Sequence, residues 1–431
     1  MAAPLGVVAQ GPAAATAQMS SAQVQSIVEE SVRLIDSVYV VPERRQAITQ
    51  KLRDAEKTGR YATTDPVTLA DRLTDDLRGV SGDRHLSVHW APAEYAATSA
   101  PPSADGAGKA GADYYAKLGK RRNQGVEELR ILPGNIRYMR YTNFIWEADV
   151  SGRALDDAMR FMRDGDALII DLRGNGGGDA SAVQYLISHF VSDRLLMTFN
   201  DGPSGESSQS RTLEYLPVGR IRGKPLFVLI DRFTASAAEE FTYHVQQFKL
   251  GVLVGQTTAG AANNNSLYPI KPGFMLSVST GRPVHPVSGT NWEGAGIMPD
   301  VAVAPGRALD QAQALALDQL SAKAEGNDSQ LRYAWARVAV DAHLHPTSVL
   351  ASELARYAGR YDDRTVRVDH GQLIYTGATR EDTPLTLLAT DLFAFGDQAG
   401  VRVHFIREGA RVTALEILHE DGDRARHDHA R

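Results

Sequence analysis

Ser236 is the residue whose type and place most directly invite chemistry. Residues Pro225 to Phe233 (PLFVLIDRF) predict a buried strand, and Thr234-Ala235-Ser236-Ala237-Ala238-Glu239-Glu240 opens a helix running to about Phe248. A serine at that junction stands at the positive end of a helix, beside free backbone N–H groups. An acyl-transfer nucleophile needs that setting: an exposed hydroxyl and donors for an oxyanion. Ser236-x-x-Glu239 is equally the pattern of a capping box, in which the serine only closes the helix end.

A second candidate is Asp171-Leu172-Arg173-Gly174-Asn175-Gly176-Gly177-Gly178-Asp179, between an apolar strand (Ala167-Leu168-Ile169-Ile170) and a helix. Asp179 stands where a dinucleotide fingerprint needs its last glycine, and the Gly-Lys-Ser/Thr ending of a phosphate loop is missing. What remains is a flexible turn exposing backbone N–H groups at a helix start. No basic partner for a phosphate accompanies it, so it suits an oxyanion better. The plainer reading is a tight strand–helix connection.

A base is harder to find. His85 lies in Gly82-Asp83-Arg84-His85-Leu86-Ser87-Val88-His89-Trp90. His85-x-x-x-His89 mimics a zinc pair, but the glutamate of that motif is absent and the alternation predicts a strand, so no metal site is expected. Glu293, in Asn291-Trp292-Glu293-Gly294-Ala295-Gly296, is a candidate orienting acid or an ordinary loop carboxylate.

The elements that must position these residues fall into blocks. Residues 1–19, uncharged in their first eighteen and Ala-rich, read as the rear of a secretory signal peptide or as a disordered tail. Residues 20–90 carry apolar positions at helical spacing, broken at Pro42 and restarted at Asp65-Pro66, which predicts a three-helix domain. Residues 91–125, rich in Ala, Pro, Ser and Gly at their start, read as a linker. Over 126–305 strands alternate with helices, as in an α/β core with parallel pairings. A helical connection over 306–355 leads to a small all-β domain at 356–418, and 419–431 reads as a loose tail whose His427-x-His429 is a frayed end rather than an adventitious metal pair.

Composition narrows the class. The chain has 431 residues, enough for two or three domains. Its 46 basic and 52 acidic residues give a net charge of −6 with no basic block, which argues against nucleic acid as a partner. Without cysteine it has no disulfides or thiolate metal sites. No apolar run reaches the length of a membrane span.

Taken in order, five stretches resemble the carboxy-terminal processing (tail-specific) peptidases, closer to the branch with interphotoreceptor retinoid-binding protein modules and the tricorn core. They are residues 82–86 (GDRHL), 132–138 (LPGNIRY), 171–178 (DLRGNGGG), 234–239 (TASAAE), and 255–260 (GQTTAG) with 293–300 (EGAGIMPD). The resemblance covers about residues 20–305. It implies a crotonase/ClpP-like spiral of ββα units, with Ser236 matching the nucleophile and an oxyanion hole from Ala237 N–H with Gly176 or Gly177. The lysine of the processing proteases is missing, since Ala261 follows Gly260. In the tricorn-like branch the base is a histidine from the helical domain, backed by a downstream glutamate; His85 and Glu293 match these. That branch's extra serine before the histidine is Arg84 here. The interval before the core is too short for the PDZ-type module of the processing proteases.

The resemblance implies a peptidase without cofactor, acting on peptides or unfolded protein, and leaves a homo-oligomer open; the signal-like start points to the periplasm or secretion, with the cytoplasm as the alternative. Two alternatives stand beside it. One is a non-catalytic module for an apolar, retinoid- or lipid-like ligand, which would need none of Ser236, His85 and Glu293. The other is a crotonase-like acyl transferase, which would need basic residues near the glycine turn, where the sequence shows only Arg173.

Overall fold

The computed structural model describes residues 18–99, 109–202, 204–377 and 380–430. The signal-like stretch, apart from its last residues, lies outside them, as does the middle of the expected linker.

Three helices open the fold: α1 (Ser21–Val38), α2 (Pro42–Lys57) and α3 (Pro66–Ser81). Their ends are written locally. Gln23 N–H donates to Ser20 Oγ at 3.3 Å and Ser20 N–H to Gln23 Oε1 at 2.8 Å, a capping box that starts α1. Asp65 caps α3 through Thr68 N–H at 2.9 Å, with Pro66 in the first turn. Gly82, at φ 68°, ends α3 in the left-handed conformation that a glycine adopts without strain. The inner faces bury Ile27, Ile35, Leu52, Leu73 and Leu77 completely.

This bundle does not close on itself. Its core continues into Leu86, Val88, Phe274, Leu276 and Val278. The strand β1 (Ser87–Trp90) pairs antiparallel with a long strand of the core, Ser87 opposite Ser277 and Trp90 opposite Phe274. The turn bearing His85 is therefore hydrogen-bonded onto the α/β core one residue beyond Leu86.

The expected linker differs from its reading: it carries α4 (Pro92–Thr98) and α5 (Lys109–Arg121). Its Ala and Gly content resembled a loop, but α5 also holds lysines and tyrosines compatible with a helix.

The core contains β2 (Val126–Leu132), β3 (Ile136–Tyr141), α6 (Ala148–Met162), β4 (Ala167–Asp171), α7 (Ala180–Ser188), β5 (Leu195–Asp201), β6 (Ser207–Arg211), β7 (Leu226–Ile230), α8 (Ala237–Gln247), β8 (Val252–Gly255), β9 (Asn264–Ile270), β10 (Phe274–Val284) and β11 (Val301–Ala302). A six-stranded sheet runs β11-β8-β7-β4-β3-β2, parallel except for the β2–β3 hairpin. Every residue of β4 (ALIID) and β7 (LFVLI) is buried. Helices α6, α7 and α8 cover one face, and α9 (Ala308–Lys323) with α10 (Asn327–Leu344) cover the other. Such two-sided cover is why these strands read as unbroken apolar runs. A second sheet, β1-β10-β5-β6 with β9 also on β10, is antiparallel.

Among the described residues of 359–428 eight antiparallel strands, β12 (Gly359–Tyr361) to β19 (Arg424–Asp428), each pair with the next in sequence. Asp362 N–H donates to Asp428 O at 3.1 Å and Ala430 N–H to Arg360 O at 2.8 Å, which joins the first strand to the last. The expected loose tail is thus a paired strand, and His429 N–H bonds Thr413 O at 2.8 Å. Tyr361, Tyr375, Phe393, Phe395 and Phe405 fill the interior. This unit rests on α10, where Trp335 Nε1–H donates to Ala399 O at 2.8 Å and Arg402 stacks on the indole at 3.8 Å.

Candidate active site

Strands β4 and β7 are neighbours in the parallel sheet, with Asp171 opposite Leu229. Their C-terminal ends therefore deliver the glycine turn and the Ser236 turn to one place, the end of an α/β sheet where open crevices form. The two turns are stitched together. Asp231 Oδ1 accepts from Phe233 N–H at 2.9 Å, from Thr234 N–H at 3.0 Å and from Gly174 N–H at 3.0 Å. Thr234 Oγ1 donates to Leu172 O and Ala235 N–H to Asn175 O, each at 2.9 Å.

Ser236 sits at φ 54°, ψ −125° directly before α8. A residue with a Cβ is strained there, and such strain persists only where the surroundings over-determine it. Glu239 supplies one half of a capping box, its carboxylate accepting from Ser236 N–H at 2.9 Å. The serine oxygen faces the Glu239 N–H as the other half of the box, and its hydroxyl proton has no acceptor among the described residues. Ser236 is half-buried.

Gly177, at φ 100°, packs on the serine: a Cβ placed on it would lie 2.7 Å from Ser236 Cβ and 2.8 Å from Ala237 N. Its N–H is already used, donating to Asn175 Oδ1 at 2.8 Å, while buried Asn175 donates through Nδ2 to Tyr141 O at 2.7 Å. Among the described residues no acceptor takes the N–H of Gly176 or of Ala237. Of the two glycines named from the sequence, Gly176 keeps its donor and Gly177 shapes the turn.

Glu239 does more than its capping pattern indicated. Fully buried, it accepts from Thr258 Oγ1 at 2.6 Å, Gly260 N–H at 2.6 Å and Ala261 N–H at 2.8 Å as well as from Ser236. Burial pushes its pKa up, opposed by these hydrogen bonds. Glu293 accepts from the next two amides, Ala262 at 2.7 Å and Asn263 at 2.9 Å. Burial, and then the charge of Asp83, push Glu293 up to about 7. Residues 260–263 are thus held by two carboxylates on four consecutive N–H groups.

His85 stands in the turn between α3 and β1. Its N–H donates to Asp83 Oδ1 at 2.9 Å, and Asp83 N–H to Ser81 Oγ at 3.0 Å. The guanidinium of Arg78 pins the turn through Arg84 O at 2.8 Å. His85 Nδ1 is buried without a hydrogen-bond partner among the described residues. Burial lowers the His85 pKa below the ordinary value, with Asp83 opposing and Arg78 reinforcing. Asp83 is buried, and its charge acts on both Glu293 and Tyr39, so the His85 turn faces the Glu293 segment. No hydrogen bond joins His85 to Ser236 among the described residues. His89 takes no part; its Nε2 lies 2.8 Å from Ser87 Oγ, and no cluster of three metal-ligating side chains occurs among the described residues.

Sequence reasoning missed Asp231 and Asn175 as the braces between the turns. Asn175 amid glycines and Asp231 ending an apolar strand were the available signals.

With this geometry in hand, the comparisons place the chain. Residues 135–303 match the model of peptidase family S41, and residues 13–112 match the N-terminal domain of Peptidase_S41 in eukaryotic IRBP. The chain carries an S41 peptidase domain with the family's N-terminal domain ahead of it. A tail-specific protease of Haemophilus influenzae is 33% identical over 98 residues, 22% of this chain and 13% of that protein. The match thus spans a small part of that relative's length. Among solved structures, the photosystem II D1 C-terminal processing protease is 17% identical, covering 65% of this chain and 93% of its own, with a TM-score of 0.42. The tricorn protease is 13% identical, covering 69% of this chain and 37% of its own, with a TM-score of 0.44. The fold is that of the S41 peptidases, mixed α/β sheets followed here by a C-terminal all-β unit.

Proposed function

We propose that this chain is a serine peptidase that cleaves peptides or unfolded protein through an acyl-enzyme on Ser236. The observation that carries the reading is the strained Ser236, its hydroxyl proton without an acceptor, beside the unpaired N–H groups of Gly176 and Ala237. In the first step Ser236 Oγ bonds to the scissile carbonyl carbon as His85 takes the hydroxyl proton. The oxyanion is received by Gly176 and Ala237 N–H, each such donor being worth a factor of about 10²–10³ in rate. The intermediate collapses as His85 returns the proton to the leaving amine; water then repeats the sequence on the acyl-enzyme. His85 is suited to this by its lowered pKa, which keeps it neutral and proton-accepting near pH 7. Substrate binding brings it to Ser236, since catalytic hydrogen bonds often tighten only in the complex. Glu293 holds the 262–263 amides and belongs to the polar network that poises the serine or holds the scissile peptide.

The succession β2-β3-α6 is one ββα unit of the kind a crotonase/ClpP-like spiral repeats, and a spiral of that kind belongs to this proposal. Action in the periplasm or outside the cell, as the sequence suggested, belongs to the same proposal.

The test is labelling by a fluorophosphonate serine probe. Wild type should label, Ser236→Ala should not, and His85→Ala should label at least tenfold more slowly. A folded wild-type protein that does not label would sink the peptidase reading and favour the apolar-ligand module.

A further inference from the structure

Two cations beside the glycine turn have no part in the chemistry above. An open cleft of about 620 Å³ runs from Gly174 and Gly176 to Arg121 and Arg122, at the end of α5. Arg122 is fixed in it: its guanidinium donates to Asn143 Oδ1 at 2.8 Å, and Asn143 Nδ2 donates to Gly177 O at 3.0 Å. One side chain thus separates this guanidinium from the turn that packs on Ser236.

The other charges nearby are spent. Arg173, the basic residue the sequence placed by the glycines, holds Asp171 at 2.9 Å through Nε and also bonds Pro305 O. Glu127, the acid lining the cleft, is taken by Arg140 at 2.9 Å. Among the described residues no carboxylate lies within ion-pair distance of Arg121 or Arg122. Both are exposed, and Lys120 in the same helical turn adds to the positive field. An unneutralised arginine pair attracts and orients a carboxylate, bidentate where geometry allows.

Resting on the peptidase reading, we propose that this cleft is the subsite for an acidic side chain of the substrate, an aspartate or glutamate close to the scissile bond. The guanidiniums stand on the outer wall, where a side chain projecting from an extended peptide reaches them while its backbone stays beside Gly176. The sequence could not show this, because Arg121 and Arg122 lie some fifty residues before the glycine turn and reach it only through α5 and Asn143.

The experiment is cleavage of a defined peptide mixture by the full chain, read by mass spectrometry, with Glu/Gln/Lys sets at each position near the cut and each peptide made as C-terminal acid and amide. Wild type should prefer Glu over Gln at one position by roughly three- to tenfold in kcat/KM, as expected for exposed charge-assisted contacts. Arg121→Gln/Arg122→Gln should bring that ratio near one, and Arg121→Glu/Arg122→Glu should turn it toward Lys; thermal unfolding shows that each variant is folded. A wild type indifferent to Glu and Gln, or a preference that survives in both double variants, overturns the proposal. So does a preference that follows only the C-terminal acid over the amide, which would give the cleft to the chain end. Absence of fluorophosphonate labelling in wild type fails the peptidase reading itself, whereas labelling without acidic preference fails the subsite alone.

Discussion

Gly177 and Ser236 touch so closely that a methyl group on the glycine would stand 2.7 Å from the serine Cβ. The same methyl would lie 2.8 Å from Ala237 N, the second expected oxyanion donor, and 2.7 Å from Ala235 O. These are backbone atoms and a Cβ, so neither turn can swing a flexible tip aside. Gly177→Ala is therefore expected to displace the Ser236 turn and to cost about 1–3 kcal/mol of stability, because φ 100° is also poor for alanine. Fluorophosphonate labelling should slow by roughly 10²-fold or more. Gly176→Ala is the control: nothing lies within 4 Å of its added Cβ, and it should fold as wild type. Equal labelling of Gly177→Ala and wild type would show that the contact does not set the site.

Much of this geometry follows from features that a sequence displays. The apolar runs of β4 and β7 stand out because both faces of the sheet are covered, and a turn at the end of each marks the site. The Asp65-Pro66 start of α3 is a local signal of the same kind. Strand β6 (SSQSR) escaped because it has no apolar face; only its pairing with β5 makes it a strand. Strand β19 (RARHD) escaped for the same reason, being polar and held by Leu415 and Ile417 of its neighbour. The division of labour between Gly176 and Gly177 was also out of reach, since it depends on which N–H Asn175 takes. Spacing brings residues together; it does not say which donor is already spent.

Glu239 gives a second prediction. Its carboxylate serves three amides and one hydroxyl in a fully buried place. Glu239→Ala leaves those neutral donors unpaired, and a buried unsatisfied donor costs about 1–3 kcal/mol. The urea midpoint should fall accordingly. Glu239→Gln keeps one acceptor oxygen and the shape, so its loss should be about half as large. If both variants unfolded at the wild-type midpoint, Glu239 would be no more than a helix cap.

Trp335 and Arg402 tie the C-terminal strands to α10, with the guanidinium 3.8 Å above the indole and also bonded to Trp335 O. Arg402 is buried, and burial lowers its pKa to about 10. Trp335→Ala removes the stacking partner and the Ala399 hydrogen bond, at a cost of about 2 kcal/mol. The expected result is earlier proteolytic release of the C-terminal unit, with fluorophosphonate labelling of Ser236 retained. Coincident loss of labelling and of the C-terminal unit would instead couple the two parts.

The helix carrying Ser236 also carries a buried acid and imidazole, Glu240 and His244, 3.5 Å apart. Burial, with the charge of Asp179, pushes Glu240 up to about 8, and burial pushes His244 down to about 3. His285, packed on His244 at 5.2 Å between ring centres, is also pushed down to about 3, by burial and by His244. The signs oppose each other. Below the ordinary histidine value the unfolded chain binds protons that the folded histidines refuse, so stability rises with pH up to about 6.5. A raised glutamate acts the other way: the folded state keeps a proton that the unfolded chain releases from about 4.5, so stability falls as pH rises until about 8. Glu293, raised to about 7, adds to the fall over its lower part. Between pH 6.5 and 8 the glutamates act alone, and stability should decline. Glu240→Gln should flatten that decline and leave the variant the more stable protein at pH 8.5, by an amount on the order of a few kcal/mol. Urea midpoints of the two proteins at pH 6.5, 7.5 and 8.5 decide it; parallel curves would mean that Glu240 is ionised in its burial place, with His244 carrying the compensating proton.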